Sequence, residues 1–328
     1  MTAEHPFAQY VRILGKGKTG SRSLTREEAA AAMSMILDDQ VEDVQLGAFL
    51  MLLRVKEESP DELAGFVDAV RQHIPSTGIT VDLDWASYAG KRRQQAWYLL
   101  AALALADSGI RVAMHGAAGH TAERRYAEQI LQELGECVAH DWREASAALD
   151  QTRFVYLPLS LVCPGLQSMM DLRQLFGLRS PVHTLSRLIN PLGAAYSVQS
   201  IFHPAYADSH QQAAALLGQA NAVVFKGEAG EAERKPEAVC RVKTLREGQL
   251  GEATWPKMID GRQEWQTDIS AEHLRRAWRG DAIPEYGQLA IIGTLAIALQ
   301  LRMPELSQED AIAQARQCWE QRNRQRLG

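Results

Sequence analysis

The spacing of apolar residues changes character near Ile79, and that change sets what the chain can fold into. Before it, every apolar stripe has helical spacing and a start signal. Thr25 and Glu28 form a capping box ahead of Ala29, Ala30, Met33 and Ile36. Asp43 is expected to cap the next helix, which carries Leu46, Phe49, Leu50 and Leu53 on one side. Ser59, Pro60 and Glu62 supply an N-cap, a first-turn proline and a capping-box acid, with Leu63, Phe66, Val67 and Val70 as the stripe that follows. These signals predict a small all-helical domain. After Ile79, short apolar runs at 111–115, 154–157 and 222–225 read as strands, and residues 95–107 and 167–188 read as helices. Strands alternating with helices predict an α/β fold with a mainly parallel central sheet and flanking helices. Residues 243–265 scatter Gly, Pro and Thr and read as a β or loop extension, and 316–326 as a basic helix end or tail.

With 46% hydrophobic residues, the chain can bury a large core. Its net charge of -5 excludes a global basic field, so a site for a polyanion has to be a local basic surface on an acidic body. Cys137, Cys163, Cys240 and Cys318 form no CxxC pair and no zinc spacing, which predicts buried thiols in a reduced compartment. The start of the chain lacks a basic-then-apolar leader pattern. The longest apolar stretch, 289–299, is interrupted by Gly293 and Thr294 and is too short to span a bilayer. A cytoplasmic protein with no membrane partner is expected.

Several segments carry a family resemblance. Leu24-Thr-Arg-Glu-Glu-Ala29, Gln45-Leu-Gly-Ala-Phe-Leu50 and Leu53-Arg-Val-Lys56 stand in the same order as in anthranilate phosphoribosyltransferases. Leu172-Arg-Gln-Leu-Phe-Gly-Leu-Arg179, continuing through Ser180-Pro-Val-His-Thr-Leu to Asn190-Pro191, resembles that family's Val-Arg-x-x-Leu-Gly-x-Arg-Thr run. The resemblance implies a helical domain (1–75 plus about 165–190) that forms a homodimer, an α/β domain (76–164 and 191–328), and a cleft between them. The family's chemical motifs are altered. Its Gly-Thr-Gly-Gly-Asp loop, which wraps pyrophosphate with backbone N–H groups, is here Ser87-Tyr-Ala-Gly-Lys-Arg-Arg-Gln94. Its Lys-His-Gly-Asn-Arg motif is Met114-His-Gly-Ala-Ala118, its magnesium pair Asp-Glu is Ala232-Glu233, and its His-Pro is Cys163-Pro164. Losing one oxyanion donor costs on the order of 100-fold in rate, so anthranilate transfer is not expected. Gly90-Lys-Arg-Arg-Gln94 and Lys226-Gly-Glu-Ala-Gly-Glu231 are similar instead to TrpD-like paralogues described as prokaryotic DNA-binding proteins. That likeness implies sequence-nonspecific binding of nucleic acid (DNA, with RNA an open alternative), without catalytic residues, metal or cofactor.

The candidate contacts are cations. Lys91, Arg92 and Arg93 are read at the start of a helix, where positive charge opposes the dipole and invites an anion; a solvated charge run is the bland alternative. Lys16 and Lys18 lie in Gly15-Lys-Gly-Lys-Thr-Gly20, whose spacing is not that of a P-loop and which reads equally as a phosphate-touching or a plain solvated loop. Arg173, Arg179 and Arg187 are expected either along the cleft or in scaffold ion pairs. Lys226 and Lys235 belong to a stretch of mixed charge that could be a salt-bridged surface or could turn its cations to one side. His115 and His183 are assigned no proton-transfer role. A second reading keeps transferase activity toward another acceptor, with Glu231 and Glu233 as metal ligands; a third is a scaffold for a protein partner.

Overall fold

The computed structural model of the protein describes residues 4–17, 19–119, 121–261, 264 and 268–327. Four helices come first: α1 (Ala8–Gly15), α2 (Arg26–Leu37), α3 (Asp43–Lys56) and α4 (Pro60–His73). Both predicted capping boxes are made. Thr25 Oγ1 accepts from the Glu28 N–H at 3.2 Å while Glu28 returns a bond to the Thr25 N–H, and Ser59 and Glu62 repeat the exchange. The cap of α3 is corrected: Glu42 takes that place in exchange with Gln45, and Asp43 is the first helical residue. The predicted stripes interlock, with Phe7, Phe49 and Phe66 packed edge to face between helices.

Among the described residues, seven strands form one sheet: β1 (Leu83–Ser87), β2 (Val112–Gly116), β3 (Phe154–Pro158), β4 (Tyr196–Ile201), β5 (Asn221–Lys226), β6 (Cys240–Arg246) and β7 (Gln249–Trp255). Their spatial order is β3-β2-β1-β4-β5-β6-β7; the first five are parallel, and β6 and β7 close one edge as an antiparallel hairpin. The three predicted strands are β2, β3 and β5. The other two parallel strands, β1 and β4, are neighbours at the centre, and their sequences hide them. Asp84, Ser87, Ser197, Gln199 and Ser200 are polar yet buried there, and they interrupt the apolar run expected of a strand covered on both faces. They are tolerable because they bond to partners inside; Ser197 Oγ donates to Asp84 at 2.8 Å.

The remaining helices are α5 (Trp97–Asp107), α6 (Ala127–Leu134), α7 (Trp142–Thr152), α8 (Leu159–Val162), α9 (Pro164–Asp171), α10 (Arg173–Phe176), α11 (Val182–Leu185), α12 (Tyr206–Leu216), α13 (Ala271–Arg279), α14 (Glu285–Arg302) and α15 (Gln308–Gln321). Alternate strand residues separate two cores. Trp85, Met114, Tyr156 and Phe225 join α5, α13, α14 and α15 on one face. Ala86, Ala113, Val155 and Ala222 join the N-terminal helices, α9 and α12 on the other. The helix expected at 167–188 is broken into α9, α10, α11 and a 3-10 turn at Ser186–Leu188; Gly177, in the left-handed conformation (φ 69°), ends α10. The expected extension at 243–265 is the end of β6 and then β7 as far as Trp255; Trp265 lies outside the described residues. Arg322, in the basic C-terminal stretch, is spent internally, its guanidinium 3.6 Å over the Trp319 ring. All four cysteines are free, and burial pushes the Cys240 thiol up to about 11. Among the described residues, no helix is long and apolar enough to cross a membrane.

Strand order reverses between β1 and β4. In open parallel sheets such a reversal leaves a crevice beyond the carboxyl ends of the strands, where ligands bind.

Candidate functional site

Three loops leave the carboxyl ends of β1, β4 and β5 and meet over that crevice. The loop after β1 is held well before any helix begins: Lys91 and Arg125 exchange backbone hydrogen bonds at 2.8 and 2.9 Å. Helix α5 starts only at Trp97. Lys91, Arg92 and Arg93 therefore do not face a helix dipole, and the expectation that they sit at a helix start is corrected. Gln94 and Gln95 anchor the intervening turn by donating to the backbone carbonyls of Glu264 and Asp268.

Beneath the loop lies a layer of charge closed to solvent. Glu231 Oε1 accepts the N–H groups of Ala89 and Gly90 at 2.7 and 2.6 Å. Gly90 provides the positive φ (70°) of that turn. On the other side, a side chain at Gly227 would fall 1.6 Å from the Glu231 carbonyl oxygen, so only glycine lets this loop fold back. Glu233 accepts from Lys91 Nζ at 2.6 Å and from the Tyr98 N–H at 3.0 Å. Lys91 and both carboxylates are completely buried. Burial pushes both carboxyls above their ordinary range, against the pull of their donors. Lys91 is thus removed from the list of surface contacts: its ammonium is the counter-ion of Glu233.

The donors that could cradle a phosphate are in this way committed to an internal carboxylate. The magnesium site implied by the family resemblance does not fit either. Loop N–H groups hold one oxygen of Glu231, and the Lys91 ammonium and the Tyr98 N–H hold both of Glu233; that leaves Glu231 Oε2 alone, whereas magnesium needs several oxygens free to take octahedral positions. Deeper still, Tyr88 OH lies 2.7 Å from His115 Nδ1, and His115 Nε2 lies 3.2 Å from Asp84, all buried under the sheet. Tyr88, His115 and Asp84 thus form a polar cluster in the core.

The outer surface is different. Arg92, Arg93, Arg124, Lys226 and Lys235 surround a concavity of about 370 Å³, with Glu228 the acid among its lining residues and Phe202 forming one wall. Arg92 pairs with Glu123 at 2.5 Å, both well exposed, and Lys235 lies 3.3 Å from Glu228 and 3.5 Å from Glu237. The exposed Arg92–Glu123 pair is weak and exchanges readily with another anion, whereas the Lys235 pairs are half-buried. Arg124 ties the loops together by donating to the carbonyls of Ala89, Gly90 and Ala229. Phe202 is 44% exposed and meets the His203 ring edge-on with centroids 4.8 Å apart.

A second, smaller cavity of about 110 Å³ shares Phe202 with the first and is lined by Arg54, Arg179 and Arg187. Arg54 arrives from α3 of the helical domain and reaches Tyr206 OH at 3.4 Å, so this cavity spans the two domains. Burial and the neighbouring Arg187, Arg124 and Arg173 guanidiniums hold Arg179 down to about 10.

Of the expected contacts, the fold thus gathers Arg92, Arg93, Lys226, Lys235, Arg179 and Arg187 around Phe202. Arg173 is half-buried behind Arg179 and lines neither cavity, Lys16 is exposed at the end of α1 away from both, and Lys18 lies outside the described residues. Arg54, Arg124 and Phe202 were missed. Arg124 stands in the short run Glu123-Arg124-Arg125, but only their tertiary neighbours mark these residues as part of a site. A larger cavity of about 550 Å³ between residues 74–79 and 190–195 has Arg71 as its charged side chain, and that guanidinium is spent on the Leu188 and Ile189 carbonyls.

The helical bundle domain of the glycosyl transferase family matches residues 8–74, and the α/β domain of that family matches residues 95–268. The chain is 29% identical over 249 residues to the uncharacterized protein YbiB of Escherichia coli, covering 74% of this chain and 77% of that one. It is 30% identical over 230 residues to an anthranilate phosphoribosyltransferase of Anaeromyxobacter, covering 69% and 68%. Anthranilate phosphoribosyltransferase from Thermus thermophilus superposes with a TM-score of 0.78 at 21% identity over 96% of this chain and 94% of that one. The Saccharomyces cerevisiae enzyme, in complex with PRPP and Mg, gives 0.79 at 16% identity over 99% and 96%.

Proposed function

Because the chain belongs to the glycosyl transferase family that these two domains define, we propose that it has kept the family's interdomain crevice and uses it to bind nucleic acid without sequence preference. The observation that carries this reading is the pairing of an occupied interior with a cationic exterior. Loop N–H groups are taken by Glu231, while five cationic side chains and an exposed phenylalanine line the concavity above them. Cations of this kind neutralise phosphates and release their counter-ions, which yields affinity without reading bases. An aromatic face among them offers a platform for an unstacked base, worth about 1–3 kcal/mol. Single strands are therefore the preferred form, and nothing in the reading calls for a cofactor.

Titrating random single-stranded and duplex oligonucleotides across a salt series tests this. The logarithm of the binding constant should fall linearly with the logarithm of salt, by about 0.7 per phosphate contacted on a single strand. A flat response, or no binding at low salt, overturns it. The competing reading is transfer of a phosphoribosyl group to another acceptor, favoured by relatives that carry the name anthranilate phosphoribosyltransferase. It requires magnesium-dependent release of pyrophosphate from phosphoribosyl diphosphate, and detecting that release would restore it.

A homodimer joined through the helical domains is the second part of the proposal. Val44 and Val55, 78% and 86% exposed, lie about three turns apart on the same side of α3, and Leu175 on α10 is 82% exposed. Uncovered apolar side chains of this size mark contact surfaces when they adjoin. Sedimentation should give a dimer that Leu175→Glu converts to monomer; a monomeric parent protein rejects it.

A further inference from the structure

The smaller cavity, where Arg54, Arg179 and Arg187 converge, has a chemistry of its own. Among the described residues, no acidic one lines it. Arg187 is buried and Arg179 half-buried beside it, and the two repel; Arg54 adds a third charge from the exposed rim, so the site costs stability unless an anion fills it. Two polar atoms in its wall are sealed from solvent and lack a hydrogen-bond partner: Ser180 Oγ, in a residue 4% exposed, and Arg187 Nε, in one 7% exposed. Buried donors are nearly always bonded, so a pair left open on one cavity indicates a missing acceptor. The nearby carboxylate, Glu231, gives Oε1 to the Ala89 and Gly90 N–H groups; its charge partly offsets that of Arg187, but its Oε2, buried without a hydrogen-bond partner, does not reach the open Arg187 Nε.

We propose that this cavity is a subsite for a phosphate monoester, most simply the terminal phosphate of a nucleic-acid strand whose following nucleotides run past Phe202 and Arg92. The anion site stands on geometry alone; only its assignment to a strand end rests on the nucleic-acid reading. Size and charge choose the ligand. A volume of about 110 Å³ holds a few waters at about 30 Å³ each, which suits one tetrahedral oxyanion. A monoester carries close to two charges at neutral pH and one ester substituent, so three arginines favour it over an internal diester, which carries one charge and must leave by two routes. Guanidinium forks match phosphate oxygens in pairs, and a serine hydroxyl supplies one further donor. Arg54 comes from the helical domain and the other two from the segment after α10, so the same phosphate would bridge them.

The experiment uses the full-length protein and short random single-stranded oligonucleotides ending in 5′-phosphate, 3′-phosphate or hydroxyl, with inorganic phosphate and ribose 5-phosphate titrated alone against chloride at equal ionic strength. One phosphorylated end should bind about tenfold tighter than hydroxyl ends, in line with one added charge-assisted contact. Arg54→Gln, at an exposed position that tolerates change, should erase that advantage, as should Ser180→Ala; removing the arginines around the larger concavity should weaken every oligonucleotide by a similar factor. Binding of the small phosphates that Arg54→Gln abolishes, with no gain from a phosphorylated end, supports the site and identifies a small sugar phosphate as its ligand. Phosphate binding without any oligonucleotide binding would keep this site and reject the nucleic-acid reading. Oligonucleotides indifferent to their ends, together with no binding of either small phosphate, overturn the proposal.

Discussion

Replacing Arg92 and Arg93 together by alanine will weaken binding of a random single-stranded oligonucleotide by about 10- to 100-fold at low salt, and will lower the salt slope by about 1.4, two contacts at about 0.7 each. Both side chains are exposed on the rim of the concavity, and Arg92 holds an exposed ion pair with Glu123. Their loss should cost the fold at most about 0.5 kcal/mol, so an effect on binding would not be an effect of unfolding. Phe202→Ala provides the complementary change. It should reduce affinity for single strands while leaving the salt slope intact, because stacking releases no counter-ion. Fluorescence anisotropy at several salt concentrations reads both quantities. Unaltered affinity in the double variant would move the binding surface away from this crevice.

Glu233→Ala should destabilise the protein by about 3–5 kcal/mol, since it leaves the Lys91 ammonium buried without its counter-ion. For a chain of this size that corresponds to a fall in Tm on the order of 10 °C. Lys91→Met should cost less than Glu233→Ala, because the remaining carboxylate keeps the Tyr98 N–H and can take up a proton: burial already pushes it toward the neutral form. The double variant Lys91→Met with Glu233→Gln should recover most of the loss. It removes both charges, keeps an acceptor for Tyr98, and replacing both members of a buried pair is often close to neutral. Thermal melts of the four proteins complete the cycle. If the two single changes were each harmless and the double simply additive, the pair would have to be solvated rather than enclosed.

These two results would separate residues that the sequence presents as equivalent. Lys91, Arg92 and Arg93 are consecutive and all cationic, and nothing within that run distinguishes them. Lys91 is turned inward because Glu233, 142 positions later, waits there; the other two face solvent. The same holds for Glu231, which reads as one acid in a mixed-charge stretch and is in fact the internal acceptor for two loop N–H groups 141 and 142 residues away.

What the chain settles locally was legible. Capping boxes at Thr25 and Ser59 act within three residues, and β2, β3 and β5 are apolar runs whose period is visible in five or six positions. The α/β alternation and the parallel sheet follow from them. The central strands β1 and β4 were not legible, because their buried polar side chains are compensated only across the sheet. Nor was the site as a whole. Arg54, Arg179 and Arg187 stand in unrelated stretches of chain, and Phe202 looks like one more apolar residue until it is found exposed among cations. Periodicity and capping depend on near neighbours and so are written in order along the sequence. The burial of a charge depends on which distant partner the fold brings within about 3 Å, and only the tertiary structure decides that.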